Sequence, residues 1–210
     1  MVFTMAFSDL VSGIKQFHDL IHAPNRATFA ALATGQAPDT FVIACSDSRL
    51  MPQGLTNASA GDLFVARNAG NFVPKCSDPH ANHADGTVAD GTAATLEYAV
   101  LGLGVTHIVI LGHSDCGAMK ALKDGAPSSL PLITTWITHG NEAAKNAPKD
   151  ANLRTLTQAN IAQQVDHLKS YRFVAERVSN QTLHLHGWYY DIGTGQVLDL
   201  NPETGEFTPL

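Results

Sequence analysis

The sequence predicts an α/β fold with a central, mainly parallel β-sheet, and three observations carry that expectation. Short apolar runs rich in β-branched residues, FVIAC at 41–45 and THIVILG at 106–112, alternate with longer segments whose apolar residues recur at helical spacing. The second run is unbroken by polar residues, as a strand buried on both faces requires. Both runs end abruptly in chemically active side chains. In sheets of this kind ligands bind beyond the carboxyl ends of the strands.

Taken in order, residues 5–22 place Phe7, Leu10, Val11, Ile14, Phe17, Leu20 and Ile21 on one face of a helix, which Pro24 ends. A short helix through Phe29 and Leu32 follows, and TGQAPD at 34–39 turns into the first strand. Leu63 to Ala66 reads as a second short strand, followed by the loop residues Asn68, Ala69, Gly70 and Asn71. Residues 72–91 are rich in Pro, Asp, Asn, Gly and His and read as a surface loop. Cys76, His80 and His83 mimic metal-ligand spacing there, but no element fixes them. Residues 92–103 read as a helix capped by Asp90 or Thr92. Another helix starts near Asp115 or Cys116, residues 131–146 are helical up to the break at Pro148, and one long amphipathic helix runs from Leu156 through Val178. TLHLHGWYYD at 182–191 alternates as a strand, QVLDL follows a Gly-Thr-Gly turn, and the remaining tail is polar.

The expected sheet has about four parallel strands, with an antiparallel edge strand as an option. Its domain plan is a single unit over 1–210, divided into an N-terminal helical arm (1–35) and an α/β core (36–210). With 210 residues, 44% of them hydrophobic, the chain is long enough to bury one good core.

The net charge of −6 and the lack of a Lys/Arg block argue against nucleic acid and anionic membranes as partners. No apolar run is long enough to span a bilayer, and the first residues lack the parts of a secretory signal. Three cysteines do not make a disulfide framework, so a reducing, cytoplasmic location is expected.

Cys45 ends the first strand, and His113 and Cys116 end the central one. Two thiolates and an imidazole suit Zn²⁺, and three protein ligands leave a fourth position for water. Asp47 has two readings. It closes the site as the fourth ligand, or it pairs with Arg49 and accepts a hydrogen bond from what occupies that position. A loop-fixing salt bridge is the plainer alternative. His184 and His186 share a strand face, where structural hydrogen bonding is expected rather than a metal. Trp136 and Trp188 read as core or interface anchors.

CSDSR after an apolar strand, RNAGN some twenty residues on, EYAV on a helix, GHSDCGA after the second strand and the C-terminal HGWYYDIGTGQV together resemble a β-class carbonic anhydrase. The likeness spans most of the chain in one register. It implies one Zn²⁺ per subunit on Cys45, His113 and Cys116, an Asp47–Arg49 dyad, and reversible hydration of CO₂ to bicarbonate by zinc-bound hydroxide. It also implies a homodimer, a dimer of dimers or a larger assembly, with substrate pockets at subunit interfaces. In the plant-like members Gln36 matches a glutamine that bonds substrate, Phe64, Ala69 and Tyr98 fall on the apolar pocket wall, and the Gly117 amide faces substrate. Gly102 stands where some plant forms carry a histidine. Arg67 matches one of the site arginines of the bicarbonate-inhibited allosteric members, but Val42 stands where they carry tryptophan, so the resemblance is nearer the plant-like subclass. Same-fold hydrolysis of carbonyl sulfide or carbon disulfide, and a non-catalytic zinc- or bicarbonate-binding role, are the alternatives.

Overall fold

The structure, a computed structural model, describes residues 5–76 and 90–210. It divides into two compact units, 1–37 and 38–210. In the first, α1 (Phe7–Phe17) runs into a π-helical turn (His18–His22), and α2 (Arg26–Leu32) follows. Phe29 packs on His22 and Phe17, with ring centroids 4.7 and 5.9 Å apart. None of these helical residues is buried, and Phe7, Leu10, Ile14, Phe17 and Leu20 present an apolar face to solvent.

The second unit carries the sheet. Its strands and helices are, in chain order, β1 (Thr40–Cys45), α3 (Pro52–Thr56), β2 (Leu63–Asn68), α4 (Gly91–Glu97) with a π-helical continuation (Tyr98–Leu103), β3 (His107–His113), α5 (Gly117–Asp124), α6 (Pro131–Trp136), α7 (Asn141–Asn146), α8 (Leu153–Lys169), α9 (Arg172–Ser179), β4 (His184–Tyr190), β5 (Val197–Leu200) and β6 (Phe207–Pro209). Among the described residues the sheet has six strands, ordered β2-β1-β3-β4-β5-β6. The first four are parallel and the last two antiparallel.

β1 and β3 are central, and alternate side chains feed two cores. Phe41, Ile43, Ile108 and Ile110 pack with Ile161, Val165 and Leu168 of α8. Val42, Ala44, Val109 and Leu111 pack with Met119 of α5 and with Phe72. Burying each of the larger side chains contributes about 1.5–3 kcal/mol, so the strand pair anchors the domain. Helix α8 sits close on the sheet because glycines make room for it. A Cβ on Gly112 of β3 would lie 2.7 Å from Ile161 Cδ1, and one on Gly187 of β4 would lie 2.8 Å from Ile161 Cγ2.

Three expectations need correction. The long helix from Leu156 to Val178 is two, because Ser170 and Tyr171 turn the chain between α8 and α9. The Ser170 hydroxyl donates to the His167 carbonyl, capping α8, while the apolar period runs on across the break. The polar tail adds β6, since Phe207 to Pro209 pair with Leu200 to Leu198. Residues 72–74 are buried rather than part of a surface loop. Tyr98 is 51% exposed. His80 and His83 lie outside the described residues.

Candidate metal centre

Parallel register makes the site. Cys45 pairs with Asn68 of β2, and Ala44 pairs with Leu111 of β3, so the end of β1 lies beside the end of β3. Beyond His113 the chain turns through Asp115, held in the left-handed region at φ 57°, and Cys116 becomes the N-cap of α5. The turn returns Cys116 to the strand ends. Cys45, His113 and Cys116 are all buried, and their ligand atoms lie within 4.8 Å of one another.

These residues fit a tetrahedral metal. The two sulfurs are 3.9 Å apart and unbonded. Thiolates each about 2.3 Å from zinc would be about 3.8 Å apart. The Nδ1–H of His113 donates to the Ser114 carbonyl at 2.8 Å, which fixes the tautomer and leaves Nε2 as a lone pair. That Nε2 is buried with no hydrogen-bond partner, a costly state unless a cation takes it.

Without metal, Cys45 is the thiolate of the pair. The Cys116 thiol donating to it holds it down to about 4, with help from His113 and the Asp47 and Gly70 amides against the cost of burial. Cys116 is pushed up because the Cys45 thiolate retains its proton, although the Ala118 and Met119 amides at the start of α5 favour its ionised form. Burial alone would depress His113, but the neighbouring Cys45 thiolate outweighs it and moves the ring upward.

Asp47 Oδ2 lies 3.8 Å from His113 Nε2 at the rim. Arg49 grips both Asp47 oxygens, Nε to Oδ1 at 2.9 Å and Nη2 to Oδ2 at 2.7 Å, and holds the carboxyl well below the usual carboxylate range. The same guanidinium reaches across to the β3–α5 turn, where Nη1 donates to Asp115 Oδ2 at 3.0 Å and Nη2 to the Asp115 carbonyl at 3.2 Å. Lys120 holds the other Asp115 oxygen. Arg49 thus ties the loop after Cys45 to the turn before Cys116. Neither Asp115 nor Lys120 was singled out by sequence reasoning. Sixty-six residues separate Arg49 from Asp115, and only the fold joins them.

Arg67 fastens the same loop from behind. Its guanidinium donates to the carbonyls of Cys45, Asp47 and Leu50 at 3.0, 2.7 and 2.9 Å. A second missed group is a polar stripe on α8. Asn160 donates to the Gly70 carbonyl, Gln164 accepts from the Val73 amide at 2.8 Å, and His167 donates to the Val73 carbonyl at 2.7 Å. Tyr171 continues the stripe by donating to the Pro74 carbonyl. A buried irregular segment needs such partners for its backbone. The segment matters to the centre because the Gly70 amide donates to Cys45 Sγ at 3.4 Å. Polar residues at i, i+4 and i+7 facing inward were the available signal, and they read more simply as a solvated face.

The remaining predicted residues divide. Ala69 lies beside the centre, where Trp136 Nε1 donates to its carbonyl. Gly117 opens α5 directly after Cys116. Phe64 and Tyr98 pack against each other at a tilt, centroids 5.9 Å apart, and Phe64 packs on Phe41 in the α8-side core. Cys45 and Cys116 belong to the other core, so the structure does not bring this aromatic pair to the centre. Gln36 is exposed in the first unit.

A six-stranded α/β sheet with a Cys₂His group at the carboxyl ends of parallel strands defines a class of metal-type α/β proteins, and comparison with known proteins narrows it. The profile described as carbonic anhydrase matches residues 40–197. Carbonic anhydrase of Pseudomonas aeruginosa is 38% identical over 209 residues, spanning 96% of this chain and 91% of its own. That of Synechococcus elongatus is 32% identical, over 96% of this chain and 74% of its own. The solved β-carbonic anhydrase CcaA superposes with a TM-score of 0.87 at 31% identity, over 97% of this chain and 91% of that one. A Coccomyxa β-carbonic anhydrase in complex with acetazolamide gives a TM-score of 0.75 at 28% identity, over 99% of this chain and 89% of that one. The chain belongs to the carbonic anhydrase family, in its β class, and is an enzyme of that family. Hydration of CO₂ is the activity this family and fold support.

Proposed function

We propose that this enzyme holds one Zn²⁺ per subunit on Cys45, His113 and Cys116 and uses it for the reversible hydration of CO₂ to bicarbonate and a proton. The observation that carries the reading is the buried, unpartnered His113 Nε2 facing two sulfurs at tetrahedral spacing. When bound, zinc supplies a Lewis acid that brings the ionisation of its water towards neutral pH.

The chain's own residues do the rest. Asp47 stays ionised beside Arg49, so it can only accept hydrogen bonds, and it orients a water or hydroxyl group at the rim. Both of its oxygens are engaged by Arg49, which supports the reading in which Asp47 stays off the metal. The Gly117 amide presents an N–H to a substrate oxygen. Ala69 contributes to the apolar wall from the same chain. Gln36, Phe64 and Tyr98 serve the site of a second copy. The position of Phe64 and Tyr98 away from their own Cys45 supports an assembly of homodimers, as does the exposed apolar face of the arm helices. The Sordaria macrospora relatives, 29% identical with a TM-score of 0.72 over 93% of this chain and 96% of theirs, are described as tetrameric.

Arm and core act as one domain in this reading. The plant-like subclass fits best, because Val42 is buried in the core and Arg67 is engaged on three carbonyls rather than free for a second bicarbonate. Ligands Cys45 and Cys116 must stay reduced, which suits the cytoplasm.

Stopped-flow CO₂ hydration, with zinc content measured on the same sample, tests the assignment. One zinc per chain is expected, and both zinc and turnover should fall together in Cys45→Ser and His113→Ala. Full turnover with zinc retained in Cys45→Ser would overturn it. Parallel assays with carbonyl sulfide and carbon disulfide separate the hydrolase reading.

A further inference from the structure

We propose a second metal site, for a divalent transition cation such as Zn²⁺, Ni²⁺ or Cu²⁺, built from His107, His184 and His186 at the amino ends of β3 and β4. The strands place these residues together. His184 and His186 alternate on β4 and therefore share one face, and His107 of β3 is in register with His184. The His107 ring lies 5.2 Å from each of the other two, stacked on His184 and tilted to His186. His107 Nδ1 and His186 Nε2 are 3.0 Å apart. Two nitrogens each about 2.0–2.1 Å from one ion lie roughly 2.9–3.4 Å apart, for bond angles between square and tetrahedral.

Two carboxylates flank the trio. Asp39 Oδ2 stands 4.0 Å from His107 Nε2, the far nitrogen of that ring. A metal-bound imidazole commonly donates its far N–H to a carboxylate, and Asp39 would complete that bond by closing the remaining gap. Asp199 lies opposite Trp188 on β5, diagonal to His186 on the same face. Its Oδ1 is buried with no hydrogen-bond partner, and a buried anionic oxygen is stabilised by a nearby cation. Burial first, and then the nearby His107, push the His186 pKa down, so the ring stays neutral and keeps a lone pair to offer.

In the structure His107 and His186 share a hydrogen bond. A cation replaces it when the proton between the two nitrogens moves to the far nitrogen of its own ring, leaving two lone pairs that converge. Among the described residues the three-ligand group already in place is Cys45, His113 and Cys116. The histidine site closes when the exposed His184 side chain rotates towards the other two. A bound ion would clamp β3 to β4 at the end of β3 opposite His113, about 20 Å away at some 3.3 Å per residue.

The test is isothermal titration of Ni²⁺ and Zn²⁺ into the full chain already carrying its first metal equivalent. A second equivalent with a micromolar Kd is expected, together with a rise in melting temperature on metal addition. His186→Ala should abolish both without changing CO₂ turnover. His184→Ala, at an exposed position that does not endanger folding, should weaken binding at least tenfold. Cu²⁺ bound in the second site should show coupling to two or more imidazole nitrogens in its electron paramagnetic resonance spectrum. The arm carries its own stacked pair, His18 and His22, with centroids 5.8 Å apart. The proposal fails if nothing binds beyond the first equivalent, if the second survives the double change at His107 and His186, or if it disappears with His18→Ala and His22→Ala instead.

Discussion

Replacing Gln164 by leucine should destabilise this protein far more than a single polar change on a helix normally does. Gln164 is 0% exposed, and its amide serves three partners. Oε1 accepts from the Val73 amide at 2.8 Å, and Nε2 donates to Asn160 Oδ1 at 2.9 Å and to the His139 carbonyl at 3.3 Å. Leucine fills a similar volume but bonds to none of them. Val73 and Asn160 are themselves 0% exposed, so water does not replace the lost partners. Each orphaned buried group costs about 1–3 kcal/mol, and the added apolar contact returns part of that. A net loss of roughly 2–4 kcal/mol follows, or about 4–16 °C in melting temperature for a chain of this size. Thermal unfolding and hydrogen exchange at the Val73 amide measure it. Gln164→Glu keeps the acceptor for Val73 but turns a buried carboxylate oxygen towards two acceptors, so it should destabilise at least as much as Gln164→Leu. Bound zinc should also fall in Gln164→Leu, because the loop that Gln164 holds carries the Gly70 amide to Cys45. A loss below about 1 kcal/mol with the Val73 amide still protected would refute the reasoning.

Other outcomes follow from the same geometry. Gly70→Ala should cost roughly 2–4 kcal/mol, because φ is +90° and its Cβ would lie 2.6 Å from the Phe72 ring and 2.8 Å from Ala118 Cβ; chemical denaturation measures it. Arg67→Met should loosen the segment from Cys45 to Leu50, seen as a zinc affinity, by chelator competition, at least tenfold weaker. Asp115→Gly relieves the positive φ while removing the carboxylate from Arg49, so CO₂ turnover should drop with little loss of stability, whereas Asp115→Ala should lose both. Asp47 is held low by Arg49 and Glu142 by Lys75. Depressed carboxylates contribute stability that is present above their unfolded values, near 4, and is lost as pH falls towards the lower folded ones. The carboxylate contribution to melting temperature should therefore hold from pH 7 to about 5 and fall below about 4, while in zinc-free protein the depressed Cys45 thiol adds a loss that runs from higher pH down to about 4; a flat profile to pH 3 would contradict this.

Much of the architecture was readable because it rests on local pattern. THIVILG has no polar interruption, so β3 had to be buried on both faces, and FVIAC followed the same logic for β1. Four parallel strands and the helices between them came from that alternation. Cys45, His113 and Cys116 stood out because ligand atoms follow directly on buried strands. The pattern failed where a tertiary contact replaced it. An apolar period continues through Ser170 and Tyr171, yet Ser170 closes α8 and Tyr171 bonds to Pro74. Phe207 to Pro209 look like a polar tail until β5 offers an edge to pair with.

The sequence by itself determined the ligand types, the strand ends that deliver them and the class of fold, because strands and their termini are written in neighbouring residues. Tertiary structure alone decided the support around the centre. Arg49 meets Asp115, Arg67 reaches the loop after Cys45, and Asn160, Gln164 and His167 turn inward to hold residues 70–73. The same is true of the three histidines at the far end of β3. Each of these meetings depends on strand register and helix rotation, which are set by packing between segments far apart in the chain.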